Sequence, residues 1–174
     1  ICVRCGACAD KCHFFIGTGD PKNMPVLHAE LIRSYATLRR RGVLAARLVF
    51  TGMQTPAWKG LRRLARDLGV EAAVVHLGYL PYPEVRRVFA GADAVLFPSR
   101  YEGFGIPVVE AAVEFGKKVI TSRLPVFDEL GVPRERQIDF GDPDALAAAL
   151  RLPGPTVLER RPSTWADCAR STLE

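Results

Sequence analysis

The chain has 174 residues, enough for one domain of ordinary size with a real core. It is 48% hydrophobic and 25% charged, which excludes a disordered polar chain. No apolar run approaches the ~20 residues of a membrane span, and the polar, cysteine-rich start does not read as a secretory signal. The formal net charge of +5 suits anionic ligands or a membrane surface and identifies neither. Arg39-Arg40-Arg41, Arg62-Arg63, Arg86-Arg87 and Arg160-Arg161 fall mostly on expected outer helix faces, so a solvated surface accounts for them. With no nucleic-acid fold signature beside them, they do not indicate a nucleic-acid partner. Ile1 stands where a start Met would be, so a fragment or processed piece is expected.

In chain order, four cysteines come first. Cys2, Cys5, Cys8 and Cys12 have the spacing C-x2-C-x2-C-x3-C, which is the run of bacterial iron–sulfur segments. Four thiolates also suit zinc, and four reduced thiols at a chain end need no metal at all. Cys168 stands alone and reads as a small apolar residue. Phe14-Phe15-Ile16 reads as a short strand, and Val26 to Arg41 as a helix on Leu27, Leu31, Ile32, Tyr35 and Leu38, ended by Gly42. Strands are then expected at Ala46–Gly52, Ala73–Leu77, Ala94–Phe97, Lys118–Thr121 and Gln137–Phe140. Helices are expected at Trp58–Leu68, Pro83–Ala90, Ile106–Phe115 and Asp144–Leu150. Pro153-Gly154-Pro155 reads as a linker to a last helix, Ser163–Leu173. His76 falls in an apolar strand as a satisfied histidine, and His28 falls on the surface of the first helix. Apolar strands alternating with helices predict an α/β fold, a Rossmann-like parallel sheet with helices on both faces. Such sheets bind ligands at the carboxyl ends of their strands.

One of those strand ends carries chemistry. Ala94-Val95-Leu96-Phe97 leads into Pro98-Ser99-Arg100-Tyr101-Glu102-Gly103-Phe104-Gly105-Ile106-Pro107-Val108-Val109-Glu110-Ala111, with seven residues between the two glutamates. A strand that ends in a glycine-containing loop and opens a helix offers unpaired N–H groups and the positive end of a helix dipole to an anion. Glu110 is expected about two turns into that helix. An anion site flanked by two carboxylates suits a ligand with phosphate in the middle and hydroxyls at both ends, such as a nucleotide diphosphate sugar. The bland alternative is a plain connection with two solvated glutamates.

The run Pro-Ser-x-x-Glu-Gly-Phe-Gly-x-Pro-x-x-Glu-Ala closely resembles the donor-site signature of retaining glycosyltransferases of family 4, which have the two-domain GT-B architecture. The resemblance extends over roughly residues 14–174. It takes in the first loop Gly17-Thr18-Gly19-Asp20-Pro21-Lys22-Asn23, like that of a mannosyltransferase branch, and the later segment Pro125-Val126-Phe127-Asp128-Glu129, like the loop over the sugar. It implies that Glu110 binds the ribose hydroxyls and that Glu102 holds donor-sugar hydroxyls near the reacting carbon. It implies that Gly103, Phe104 and Gly105 offer backbone N–H groups to the diphosphate and sugar, and that Lys22 neutralises the leaving diphosphate. Thr18 stands at a first-loop place where the family often has arginine. Arg100 or Arg123 could make up that charge. The family usually works without a bound metal.

The donor implied is a GDP- or UDP-sugar, GDP-mannose slightly ahead. The expected division is an iron–sulfur-like segment at 1–13, a nucleotide-sugar-binding domain at 14–152, and a linker with a C-terminal helix at 153–174. Only the donor half of a GT-B enzyme is then present. The acceptor-binding N-terminal domain would be a missing partner, and the chain alone would transfer little sugar. A cytoplasmic setting at the inner face of the membrane, with peripheral contact, follows from that family. Cys5-Gly6-x-Cys8-x-x-x-Cys12 resembles cluster-binding segments of iron–sulfur oxidoreductases, including the heterodisulfide-reductase-like group, which implies a [4Fe–4S] cluster and a redox module as the alternative function. A non-catalytic nucleotide-binding domain is the third.

Overall fold

The computed structural model describes residues 27–52 and 56–159. The expected strand at Phe14–Ile16, the first loop with Thr18 and Lys22, the four cysteines and the last helix lie outside the described residues. Helix α1 runs His28–Arg40, strand β1 Leu48–Phe50, helix α2 Ala57–Asp67 and strand β2 Val74–His76. Helix α3 is Tyr82–Ala90 and strand β3 Ala94–Phe97. Helix α4 begins as Ile106–Val109 and continues as a π-turn over Glu110–Glu114. Strand β4 is Lys118–Ser122, helix α5 Pro125–Glu129, strand β5 Gln137–Ile138 and helix α6 Pro143–Arg151.

All described strand pairs are parallel. β1 pairs with β2, Leu48 opposite Val74 and Phe50 opposite His76. β4 lies between β3 and β5, with Phe97 opposite Thr121 and Ser122 opposite Ile138. Side chains alternate across a strand, and here each side meets its own helices. Leu96, Ile120 and Ile138 join one core with Leu31, Ile32 and Leu38 of α1 and Leu146 of α6. Val95, Phe97 and Val119 join the other with Val85 and Phe89 of α3, Val108 of α4 and Phe127 of α5. Helices thus cover both faces.

Polar groups fix the edges of these elements. The Tyr35 hydroxyl donates to the Ala46 and Ala73 carbonyls at 2.7 and 3.3 Å, tying α1 to the entries of β1 and β2. Asp142 caps α6, accepting from Asp144 N and Ala145 N. The strand expected through Phe140 stops at Ile138 because the Asp139 carboxylate accepts from Gly141 N at 2.8 Å and closes a turn. One expectation needs correction. Pro125–Glu129, read as loop, is helix α5. The Pro-Gly-Pro segment leads back onto β4: the Thr156 hydroxyl accepts from Val119 N at 2.8 Å and donates to Val119 O at 3.1 Å, and Thr156 N donates to Lys117 O.

His28 also departs from expectation. Its ring meets Phe50 edge-on at 5.0 Å rather than facing water. Phe50 touches Trp58, and Trp58 touches His76 at 4.4 Å. His76 is satisfied, its Nδ1 accepting from Gly78 N at 2.9 Å. Burial, and then the nearby His76, push the His28 imidazole down to about 4. The unfolded chain therefore takes up a proton that the folded one refuses between the ordinary 6.5 and about 4. This contribution is whole above pH 6.5 and is lost as the pH falls toward 4, by about 2 kcal/mol for a partly buried ring. Urea unfolding across that range is expected to show the decline, and His28→Leu is expected to flatten it.

Candidate functional site

The glutamate loop sits where the sequence puts it, at the carboxyl end of β3. Pro98 and Ser99 are buried, and the Pro98 carbonyl accepts from Leu27 N at 2.7 Å, which brings the start of α1 to the same strand end. Gly105 is the N-cap of α4 and has φ +82°, a left-handed conformation that side chains disfavour. A Cβ there would lie 2.9 Å from Cε1 of the fully buried Phe127 and 3.7 Å from Cγ of Glu102. Phe127 meets Phe97 edge-on at 6.1 Å. The strand, the ring from α5 and the glycine are stacked, and the loop lies on top of them.

Glu102 is half-buried, and its Oε1 accepts from Gly103 N at 3.1 Å. Glu110 is the fifth residue from Ile106, so it stands about one turn into α4, not the expected two. There the helix widens: Phe115 N reaches the Glu110 carbonyl, a five-residue step. Such π-turns are frequent at functional sites. The Tyr82 hydroxyl of α3 donates to Glu110 Oε1 at 3.3 Å. Phe104 is 46% exposed and Tyr101 76%, so the loop presents apolar rings to its open side.

The two arginines that could replace first-loop charge are already engaged. Arg100 pairs with Glu30 of α1 at 3.2 Å, and Arg123 Nε donates to the Gln137 carbonyl. Asp142-Pro143-Asp144 has the Asp-x-Asp spacing of some metal sites. Here Asp142 is the α6 cap, and Asp144 pairs with Arg41 at 2.6 Å. Among the described residues no group of three or more His, Cys, Asp or Glu could hold a metal ion. No described helix is long and apolar enough to cross a membrane.

Sequence reasoning passed over Tyr82, and also Thr121 and Ser122 at the carboxyl end of β4. These two hydroxyls are buried and find no hydrogen-bond partner among the described residues. Buried hydroxyls usually have one. Two polar residues ending an otherwise apolar strand were the available signal. For Tyr82 no local signal existed, because its partner lies 28 residues away.

Residues 15–152 match the family described as glycosyl transferases group 1. Over 139 residues the chain is 29% identical to the O-antigen chain mannosyltransferase B of Escherichia coli, covering 77% of this chain and 34% of that one. Over 74 residues it is 59% identical to the Hdr-like menaquinol oxidoreductase iron–sulfur subunit 2 of Archaeoglobus fulgidus, covering 39% of this chain and 11% of that one. It therefore spans about a third of the one relative and about a tenth of the other. Among solved structures, sucrose-phosphate synthase from Thermosynechococcus elongatus superposes with a TM-score of 0.61 at 21% identity, over 71% of this chain and 32% of that one. HepE of Anabaena, solved with UDP and glucose, gives 0.51 at 23% identity, over 70% and 37%. These two show the GT-B kind of fold.

Replacing Gly105 by alanine is expected to destabilise the chain by about 1–3 kcal/mol, since it combines left-handed strain with the overlap on Phe127. Urea denaturation measures this, and Gly103→Ala, which meets nothing within 4 Å, is the control with a smaller effect. With the fold and the loop geometry as described and the match running over residues 15–152, the chain belongs to the group 1 glycosyltransferase family.

Proposed function

We propose that this chain is the donor-binding half of a retaining glycosyltransferase that moves a mannose-like hexose from a nucleotide diphosphate sugar to an acceptor hydroxyl. The observation that carries this reading is the seat of Gly105, which sets Glu102 before α4 and Glu110 one turn into it, both at the carboxyl end of β3. Glu110 accepts hydrogen bonds from the ribose diol, as one carboxylate can from two hydroxyls. Glu102 holds hydroxyls of the sugar. Backbone N–H groups of Gly103, Phe104 and Gly105 face the diphosphate, and Lys22 and Thr18 of the first loop join them. The bond from the anomeric carbon to the diphosphate oxygen breaks, the new bond to the acceptor oxygen forms on the same face, and the acceptor's hydroxyl proton passes to the departing diphosphate. Charge grows on the departing diphosphate, so fixed donors there are the main electrostatic contribution. The name of the Escherichia coli mannosyltransferase supports mannose as the sugar, and the UDP and glucose in HepE support a nucleotide-sugar ligand.

On this reading the acceptor side belongs to a second, N-terminal GT-B domain at the inner face of a membrane, and the isolated chain binds nucleotide but transfers little sugar. Thermal-shift titration with GDP, UDP and ADP tests the donor site. A nucleotide at about 100 times its dissociation constant adds about 2.7 kcal/mol of stability. One nucleotide is expected to raise the midpoint, and Glu110→Gln is expected to abolish the rise. No rise with any of the three overturns the reading.

A second reading rests on the archaeal match: Cys2, Cys5, Cys8 and Cys12 bind a [4Fe–4S] cluster in a redox module. Anaerobic purification is then expected to yield brown protein with about four irons per chain, and iron-free protein excludes it.

A further inference from the structure

Helices α3 and α4 meet in matched register. The Tyr82 hydroxyl donates to Glu110 Oε1 at 3.3 Å, and one turn further along each helix Arg86 Nη1 donates to Glu114 Oε2 at 2.6 Å. Each pair spans 28 residues, so the two contacts are rungs of one ladder. The lower rung is rooted in the core. Arg86 lies 4.8 Å above the Phe115 ring, Phe115 stacks on Phe89 at 5.3 Å, and Phe89 is fully buried. Arg86 also lies 5.8 Å from the Tyr82 ring, so it braces the upper rung from below. Exposed ion pairs such as Arg86–Glu114 add little stability, which leaves geometry as the ladder's main effect. Its upper end is the Glu110 carboxylate.

We propose that Tyr82 is a positioning residue for nucleotide recognition, its hydroxyl holding the Glu110 carboxylate in the orientation that receives a ribose diol. This rests on the role given to Glu110 above. A glutamate side chain has many rotamers, and ordering it before the ligand arrives lowers the entropic cost of binding. The π-turn at Glu110 and the ladder act together: the turn sets where the side chain leaves the helix, and Tyr82 sets where the carboxylate ends.

Calorimetric titration of wild type, Tyr82→Phe and Glu110→Gln with GDP and UDP, and with the 2′-deoxy form of whichever binds, tests this. Tyr82→Phe keeps the ring over Arg86 and removes only the hydroxyl. It is expected to weaken ribonucleotide binding about three- to tenfold, the range of one lost hydrogen bond. It is expected to weaken the 2′-deoxynucleotide less, since only the 3′-hydroxyl is left to meet Glu110, and to leave the ligand-free unfolding midpoint where it was. Glu110→Gln is expected to erase the preference for ribose over deoxyribose. Equal weakening of both nucleotides by Tyr82→Phe, or none, overturns the positioning role while leaving Glu110 in place. Wild type that binds neither nucleotide, or Glu110→Gln that binds like wild type, overturns the reading of Glu110 and this inference with it.

Discussion

The candidate site depends on one close approach. Gly105 turns back through a left-handed conformation directly above the buried ring of Phe127, at a separation no side chain would permit. That approach fixes where α4 begins, and so where Glu102 and Glu110 stand relative to the end of β3. Phe127 is in turn fixed by Phe97, the last residue of β3. A short aromatic stack therefore converts the position of a strand into the position of a loop. The ring brings no polar group to the site and the glycine only its backbone, yet both decide its shape.

Below the loop, the frame follows from alternation. Val95 and Phe97 look one way from β3 and Leu96 looks the other, and Val119 and Ile120 of β4 repeat the pattern. Each face buries a full set of apolar side chains, so helices pack on both. A sheet covered in this way leaves its strand ends as the open places for polar chemistry. Pro98, Ser99, Thr121 and Ser122 gather at such ends, and the loop with its two glutamates rises from one of them.

Much of this was legible in the sequence. The strand Ala94–Phe97 needed only its apolar run and the turn residues after it, and the helices α1, α2, α3 and α6 needed only apolar spacing and their glycine or proline punctuation. What escaped depended on distant partners. Pro125–Glu129 has too few residues to show a helical period, and its burial comes from Gly105 and Phe97. His28 looked like a surface residue because nothing local tells that Phe50 will cover it. The widening of α4 at Glu110 carries no local signature, whereas its place one turn in follows from counting from Ile106. Within the glutamate loop, the spacing and the glycines were readable, but the Tyr82 contact was not. It arises only when two helices that are separate in sequence come side by side.

The return of Thr156 to β4 bears on what counts as a unit of this protein. The family match ends at residue 152. The hydroxyl that serves both the N–H and the carbonyl of Val119 lies four residues further on, and Leu158 and Glu159 make contacts beyond that. Evolutionary shuffling that respected only the matched region would strip a buried strand of two hydrogen bonds near its start. A transplantable version of this fold carries the Pro-Gly-Pro turn and the short segment after it, so these residues travel with the sheet they complete.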